Sequence, residues 1–134
     1  MLHEELSHKI LQACFEVSNE LGIGFLESVY ENALLIALRQ KGLIAEAQID
    51  LKVRFRGAVI GDFSVDVLVE NKILLELKAV SALAKEHQAQ LINYLKATGM
   101  EVGMLINFGN PKLEYRRFEN KFLKMNSIRD IFSE

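Results

Sequence analysis

Apolar residues recur at helical spacing at Leu6, Ile10, Cys14, Val17 and Leu21, and Gly22-Ile23-Gly24 ends that helix in a flexible turn. A second helix is predicted to start near Leu26, with Tyr30, Ala33, Leu34, Ala37 and Leu38 as its apolar stripe and Lys41-Gly42 as its stop. The pattern then changes to strand alternation: Ile49, Leu51, Val53 and Phe55 interleave with Asp50, Lys52, Arg54 and Arg56, and Gly57 marks a turn. From Val59 the chain runs through Asp66 into a hairpin. There Val65, Val67, Val69, Ile73, Leu75 and Leu77 can line one face of two strands, and Glu70-Asn71-Lys72 is the polar interruption that turns them. Ala82 to Ala97 has few β-branched residues and reads as a helix ended by Thr98-Gly99. Val102 to Phe108 is a strand broken by Gly109-Asn110-Pro111. Leu113 to Phe118 leaves a short additional strand open, before a polar tail to which the pattern assigns no state.

The order helix, helix, three strands, helix, strand defines an α/β fold. A three-stranded antiparallel meander is followed by a crossover helix, which returns the chain to the same sheet in a strand parallel to a neighbour. The expectation is a mixed four-stranded sheet flanked by helices. With 134 residues, half of them hydrophobic, and no repeat, linker or low-complexity segment, residues 1–134 read as a single domain. No apolar run has the length of a membrane span, and the N-terminus lacks the basic start and apolar stretch of a signal peptide, so a cytoplasmic protein without membrane association is expected. Cys14, the one cysteine, sits on a predicted helix as a small buried hydrophobe. The formal net charge of −2 provides no global field for nucleic acid; binding of that kind must use local basic patches or a metal.

Charge within the hairpin changes this picture. With Asn71 at the centre of the turn, Val69 pairs with Ile73, Leu68 with Leu74 and Val67 with Leu75, which sets Asp66 against Glu76. Like charges opposed on a sheet are unfavourable, and two adjacent carboxylates do not readily both ionise without a cation. A divalent metal meets that need, and oxygen ligands select magnesium or manganese over zinc. Lys78 shares the face of Glu76, while Leu77 points into the core and leaves its backbone carbonyl near the site.

Asp66 followed by Glu76-Leu77-Lys78 resembles the D…ExK signature of the PD-(D/E)XK nuclease superfamily. Gly24-Phe25-Leu26-Glu27-Ser28-Val29-Tyr30 fits the motif that names its GxxExxY family, and Gln90-Leu91-Ile92-Asn93-Tyr94 resembles the QxxxY element of RecB-like exonucleases. Together these cover about Gly22 to Asn110, in the right order. The resemblance implies a restriction-endonuclease-like core and a metal-dependent nuclease acting on DNA, with Asp66, Glu76 and the Leu77 carbonyl as metal ligands. It also implies Glu27 as a third carboxylate from the preceding helix, Lys78 as the residue that orients or deprotonates the attacking water, and Gln90 in support.

Each position also has a plainer reading. Glu27 in a first helical turn favours the helix dipole; Tyr30 either steadies Glu27 or belongs to the core; Glu31 is expected to face solvent. His87, Gln90 and Tyr94 share one helix face. The resemblance makes Tyr94, and His87 beside it, substrate-binding residues. Lys52, Arg54 and Arg56, like Arg116, Arg117, Lys121 and Lys124, are read as solvated rows rather than phosphate tracks. The rival to a nuclease is a catalytically inactive nucleic-acid-binding or protein-partner module on a nuclease-like fold. Either reading leaves so small a chain dependent on self-association or a larger protein partner for surface.

Overall fold

The computed structural model describes residues 2–121; Lys124 and the rest of the polar tail lie outside the described residues. The elements are α1 (Glu4–Leu21), α2 (Glu27–Gln40), β1 (Ala45–Phe55), β2 (Ala58–Val69), β3 (Ile73–Lys78), α3 (Lys85–Thr98), β4 (Val102–Asn107) and β5 (Glu114–Glu119). They build one mixed sheet in the order β1-β2-β3-β4-β5, antiparallel except where β3 and β4 run parallel. The sheet thus has five strands, not the expected four. Glu114, Arg116, Arg117 and Glu119 hide β5 from a hydrophobic pattern, yet these are the charges that suit an edge strand paired on one side only.

Two cores flank the sheet. On one face, Ile10, Cys14 and Val17 of α1 and Tyr30, Leu34 and Leu38 of α2 pack against Val67, Val69, Ile73, Leu75, Leu77, Met104 and Ile106. On the other, Leu91 and Leu95 of α3 meet Val65, Leu74 and Leu105. Cys14 is fully buried, and burial pushes its thiol far above the usual range, in keeping with a core residue. β4 is buried along its whole length, as a strand covered on both faces must be. At its second residue, Gly103, a Cβ would stand 2.9 Å from Leu91 Cδ1, so glycine is what lets α3 lie directly on the sheet.

The β2–β3 hairpin has the expected register, with Val69 opposite Ile73, Leu68 opposite Leu74 and Val67 opposite Leu75. Its turn is made by Glu70 and Asn71, both at φ 54, closed by a 2.9 Å bond from Lys72 N–H to the Val69 carbonyl. Three residues separate the paired Val69 and Ile73, and the left-handed sense of the first two suits the twist of the flanking strands. Val65, however, does not share the face of Val67. Ala47 and Val67 enter the α1/α2 core, whereas Ile49 and Val65 enter the α3 core, although a single residue separates Ala47 from Ile49 and Val65 from Val67. Gln48, between Ala47 and Ile49 and opposite Asp66, has φ 53, and this left-handed residue turns the strand over.

The segment after β3 is tied down by Asn107, which is fully buried. Its Oδ1 accepts the N–H groups of Val80 at 3.0 Å and Gly109 at 2.9 Å, and its Nδ2 donates to the Val80 carbonyl at 2.9 Å and Glu114 at 3.0 Å. The chain immediately beyond Lys78 is thereby fixed to the end of β4.

Candidate active site

The site forms where β2 and β3 diverge beyond Val67 and Leu75. There the ladder gives way to two side-chain bonds: Asp66 N–H donates to Glu76 Oε1 at 3.3 Å, and Leu77 N–H donates to Asp66 Oδ2 at 2.7 Å. Each carboxylate therefore docks on the other's strand. Glu76 is only 5% exposed. Burial, then the Asp66 charge, with Glu27 adding to it, push its carboxyl up to about 8, against the pull of the Asp66 N–H and of Lys78. Burial also raises Asp66, offset by the Leu77 N–H, by Lys78 and by a hydrogen bond from Gln48. Lys78, the last residue of β3, is the cation whose charge reaches both acids.

Glu27 arrives from α2. Gly24, at φ 108, turns the chain out of the α1–α2 connection, and the fully buried Tyr30 clamps it: its hydroxyl donates to the Gly22 carbonyl at 2.6 Å and accepts the Phe25 N–H at 3.3 Å. Tyr30 also stacks on Phe108, with ring centroids 4.9 Å apart. Its role is thus to anchor the start of α2 from within the core. Glu27, Ser28 and Glu31 of α2 then line a cleft with Gln48, Asp66 and Leu77.

Glu31 does not simply face solvent. It accepts a 2.7 Å hydrogen bond from Gln48 Nε2, and its carboxyl is raised by burial and by the charges of Asp66 and Glu27. Its i+4 spacing from Glu27 was the available signal. Gln48 and Ser64, bonded to one another at 2.9 Å, carry no motif that marks them.

From α3, Tyr94 lies flat on Phe63, centroids 4.0 Å apart and planes 9° from parallel, and accepts a 2.7 Å hydrogen bond from Gln90 Nε2. Burial raises its phenol, and the negative charges of Glu76 and Asp66 add to this. His87 is engaged differently: its Nδ1 accepts the Ala84 N–H at 3.0 Å and so caps α3.

The basic rows are largely spent within the fold. Lys52 pairs with Asp62 at 2.7 Å, Arg56 lies 4.8 Å over the Phe55 ring, and Arg117 bonds to Ser7, Glu119 and the Leu2 carbonyl.

Among the described residues, no three His, Cys, Asp or Glu side chains are gathered tightly enough to hold an ion by themselves. The donor chemistry nevertheless fits a hard divalent cation. Burial, and after it the charge of Asp66, drives Glu76 toward its protonated form, and a positive charge among these oxygens would oppose that.

Comparisons with known proteins bear on family and fold. The family model of the PD-(D/E)XK nuclease superfamily matches residues 4–118, and the chain belongs to that superfamily. Its nucleases generally use divalent metal ions. The crystal structure of SSO0001 superposes with a TM-score of 0.55 at 16% identity, over 81% of this chain and 59% of that one, which establishes likeness of fold. The chain spans less than two thirds of that protein. No curated protein matches the sequence. None of the described helices is long and apolar enough to cross a membrane.

Proposed function

We propose that this chain is a metal-dependent nuclease of the RecB-like GxxExxY branch, hydrolysing phosphodiester bonds in DNA. One observation carries the reading: Asp66, which lines the cleft, and the buried Glu76 are locked together by each other's strands, with Lys78 two residues beyond. A buried acid raised by a neighbouring acid, with a specific cation beside it, is a recognised physical signature of a functional site.

Asp66, Glu76 and the Leu77 carbonyl, with Glu27 from α2, supply the oxygen donors for magnesium or manganese. Bound there, the ion supplies Lewis-acid polarisation of the phosphate and an acidified water. The chain's own groups do the rest. Lys78 holds the attacking water and offsets charge on the phosphate. Gln90 sets the direction of the Tyr94 hydroxyl, which meets the nucleic-acid backbone, and His87, with Nδ1 used in capping, offers Nε2 to the same strand. A chain of this size works in the cytoplasm with a second copy or a larger protein partner that extends the grip on the polymer.

The test is manganese calorimetry paired with cleavage of single- and double-stranded DNA. Wild type should bind manganese saturably and cut; Asp66→Ala should do neither while keeping its fold. Cleavage that survives Asp66→Ala would move the chemistry elsewhere.

A further inference from the structure

The connection between α1 and α2 is apolar and open. Ile23, Phe25, Leu26 and Val29 are all exposed, Leu26 by 77%, and Glu27 is the one charge between Gly22 and Tyr30. Single exposed apolar side chains are ordinary on a surface, but a run of four so close in sequence forms a patch that calls for an occupant. A Cβ added at Gly24 would meet nothing within 4 Å, so no other described part of the chain leans over that point.

Phe25 is seated from below. Its ring meets the fully buried Tyr30 edge-on, centroids 6.0 Å apart, and Tyr30 in turn lies parallel to Phe108 at 4.9 Å. Phe108 N–H donates to the Lys78 carbonyl at 2.8 Å. An aromatic column thus runs from the end of β3 to the surface, where 47% of Phe25 remains open. Two residues further along the chain, Glu27 enters the cleft. The patch is therefore joined to the candidate site twice, through the backbone to Glu27 and through the stack to Lys78.

A stable protein partner needs about 800 Å² from each side, whereas a nucleobase needs one aromatic face. A neutral base also suits this place, because the acidic site repels phosphate and Lys52, Arg56 and Arg117 are engaged within the fold. Bases inside a duplex are already stacked on their neighbours, so a base that lies on Phe25 has left the duplex. We propose that Phe25, flanked by Ile23 and Leu26, is a stacking shelf for an unpaired nucleobase beside the metal site, which selects single-stranded over duplex DNA. The proposal rests on the nuclease reading and deepens it.

The chain has no tryptophan, so Phe25→Trp places a lone emitter on the shelf. In calcium, its fluorescence should be quenched saturably by a short oligothymidylate, and not by an abasic backbone of the same length or by relaxed circular duplex. Ile36→Trp, on the 58%-exposed position of the α1–α2 groove, should stay unquenched throughout. With the native ring removed, Phe25→Ala should bind oligothymidylate about 10-fold or more weakly, the effect of losing one stacked base. Its affinity for the abasic backbone and for manganese should match wild type, and Phe25→Tyr should restore the oligothymidylate affinity. Quenching by abasic backbone or duplex as strong as by oligothymidylate, or an unchanged oligothymidylate affinity in Phe25→Ala, overturns the shelf while leaving cleavage by wild type and the nuclease reading intact. A wild type that neither binds nor cuts any DNA overturns both.

Discussion

Glu76 accepts the backbone N–H of Asp66 at 3.3 Å, while Asp66, through Oδ2, accepts the N–H of Leu77, the next residue after Glu76. The two acids are thus held together by the same bonds that close the sheet above Val67 and Leu75, and neither can swing away without opening the strand pair. Burial and the charge of Asp66, only partly offset by Lys78, make ionisation of Glu76 costly.

This has a consequence for stability in the absence of metal. An unfolded glutamate releases its proton near 4.5, whereas folded Glu76 keeps it to about 8, so folding favours the protonated acid. The stability that Glu76 contributes is complete at low pH and is lost as pH rises from about 5 to 8, at up to about 1.4 kcal/mol per unit. Thermal melts in chelator should therefore show wild type losing more stability across that span than Glu76→Gln. Parallel curves for the two proteins would mean that Glu76 titrates normally.

Tyr30→Phe removes two hydrogen bonds of the α1–α2 connection, one to the Gly22 carbonyl and one from the Phe25 N–H, and leaves the stack on Phe108. Urea denaturation should show a loss of about 1–2 kcal/mol. Because the connection leads directly into Glu27, cleavage should fall as well, with DNA affinity in calcium little changed.

Tyr94→Phe keeps the apolar face that lies on Phe63 and removes only the hydroxyl bonded to Gln90. Stability should change by less than about 1 kcal/mol, since that bond is exposed. DNA affinity in calcium should drop several-fold by fluorescence anisotropy; unchanged affinity would assign Tyr94 to packing.

Much of this was legible in the chain because the relevant signals are local. Alternation on both sides of Glu70-Asn71 allows one register for β2 and β3, and that register alone brings Asp66 to Glu76. The crossover through α3 had to make β4 parallel to a neighbour, and it pairs with β3. What escaped was non-local or conformational. The left-handed Gln48 defeats strict alternation in β1, and on the paired strand Val65 and Val67 enter opposite cores. Glu31 looked solvated because only tertiary packing brings Gln48 and Asp66 to it. β5 is charged on both faces and has no hydrophobic period to read.

The central claim is that Asp66, Glu76 and Lys78 form a metal-dependent phosphodiesterase site, and single-turnover cleavage of labelled DNA tests it most directly. Binding should be weak in chelator, where an acidic site repels phosphate, and stronger in calcium, which fills oxygen sites but usually fails to support the chemistry. Cleavage should appear in magnesium or manganese, vanish in Glu76→Ala, and fall by about 100-fold or more in Lys78→Ala even though that variant still binds manganese. Equal DNA binding in chelator and in manganese, with no substrate cut by wild type, would contradict the account and leave the fold as a binding module.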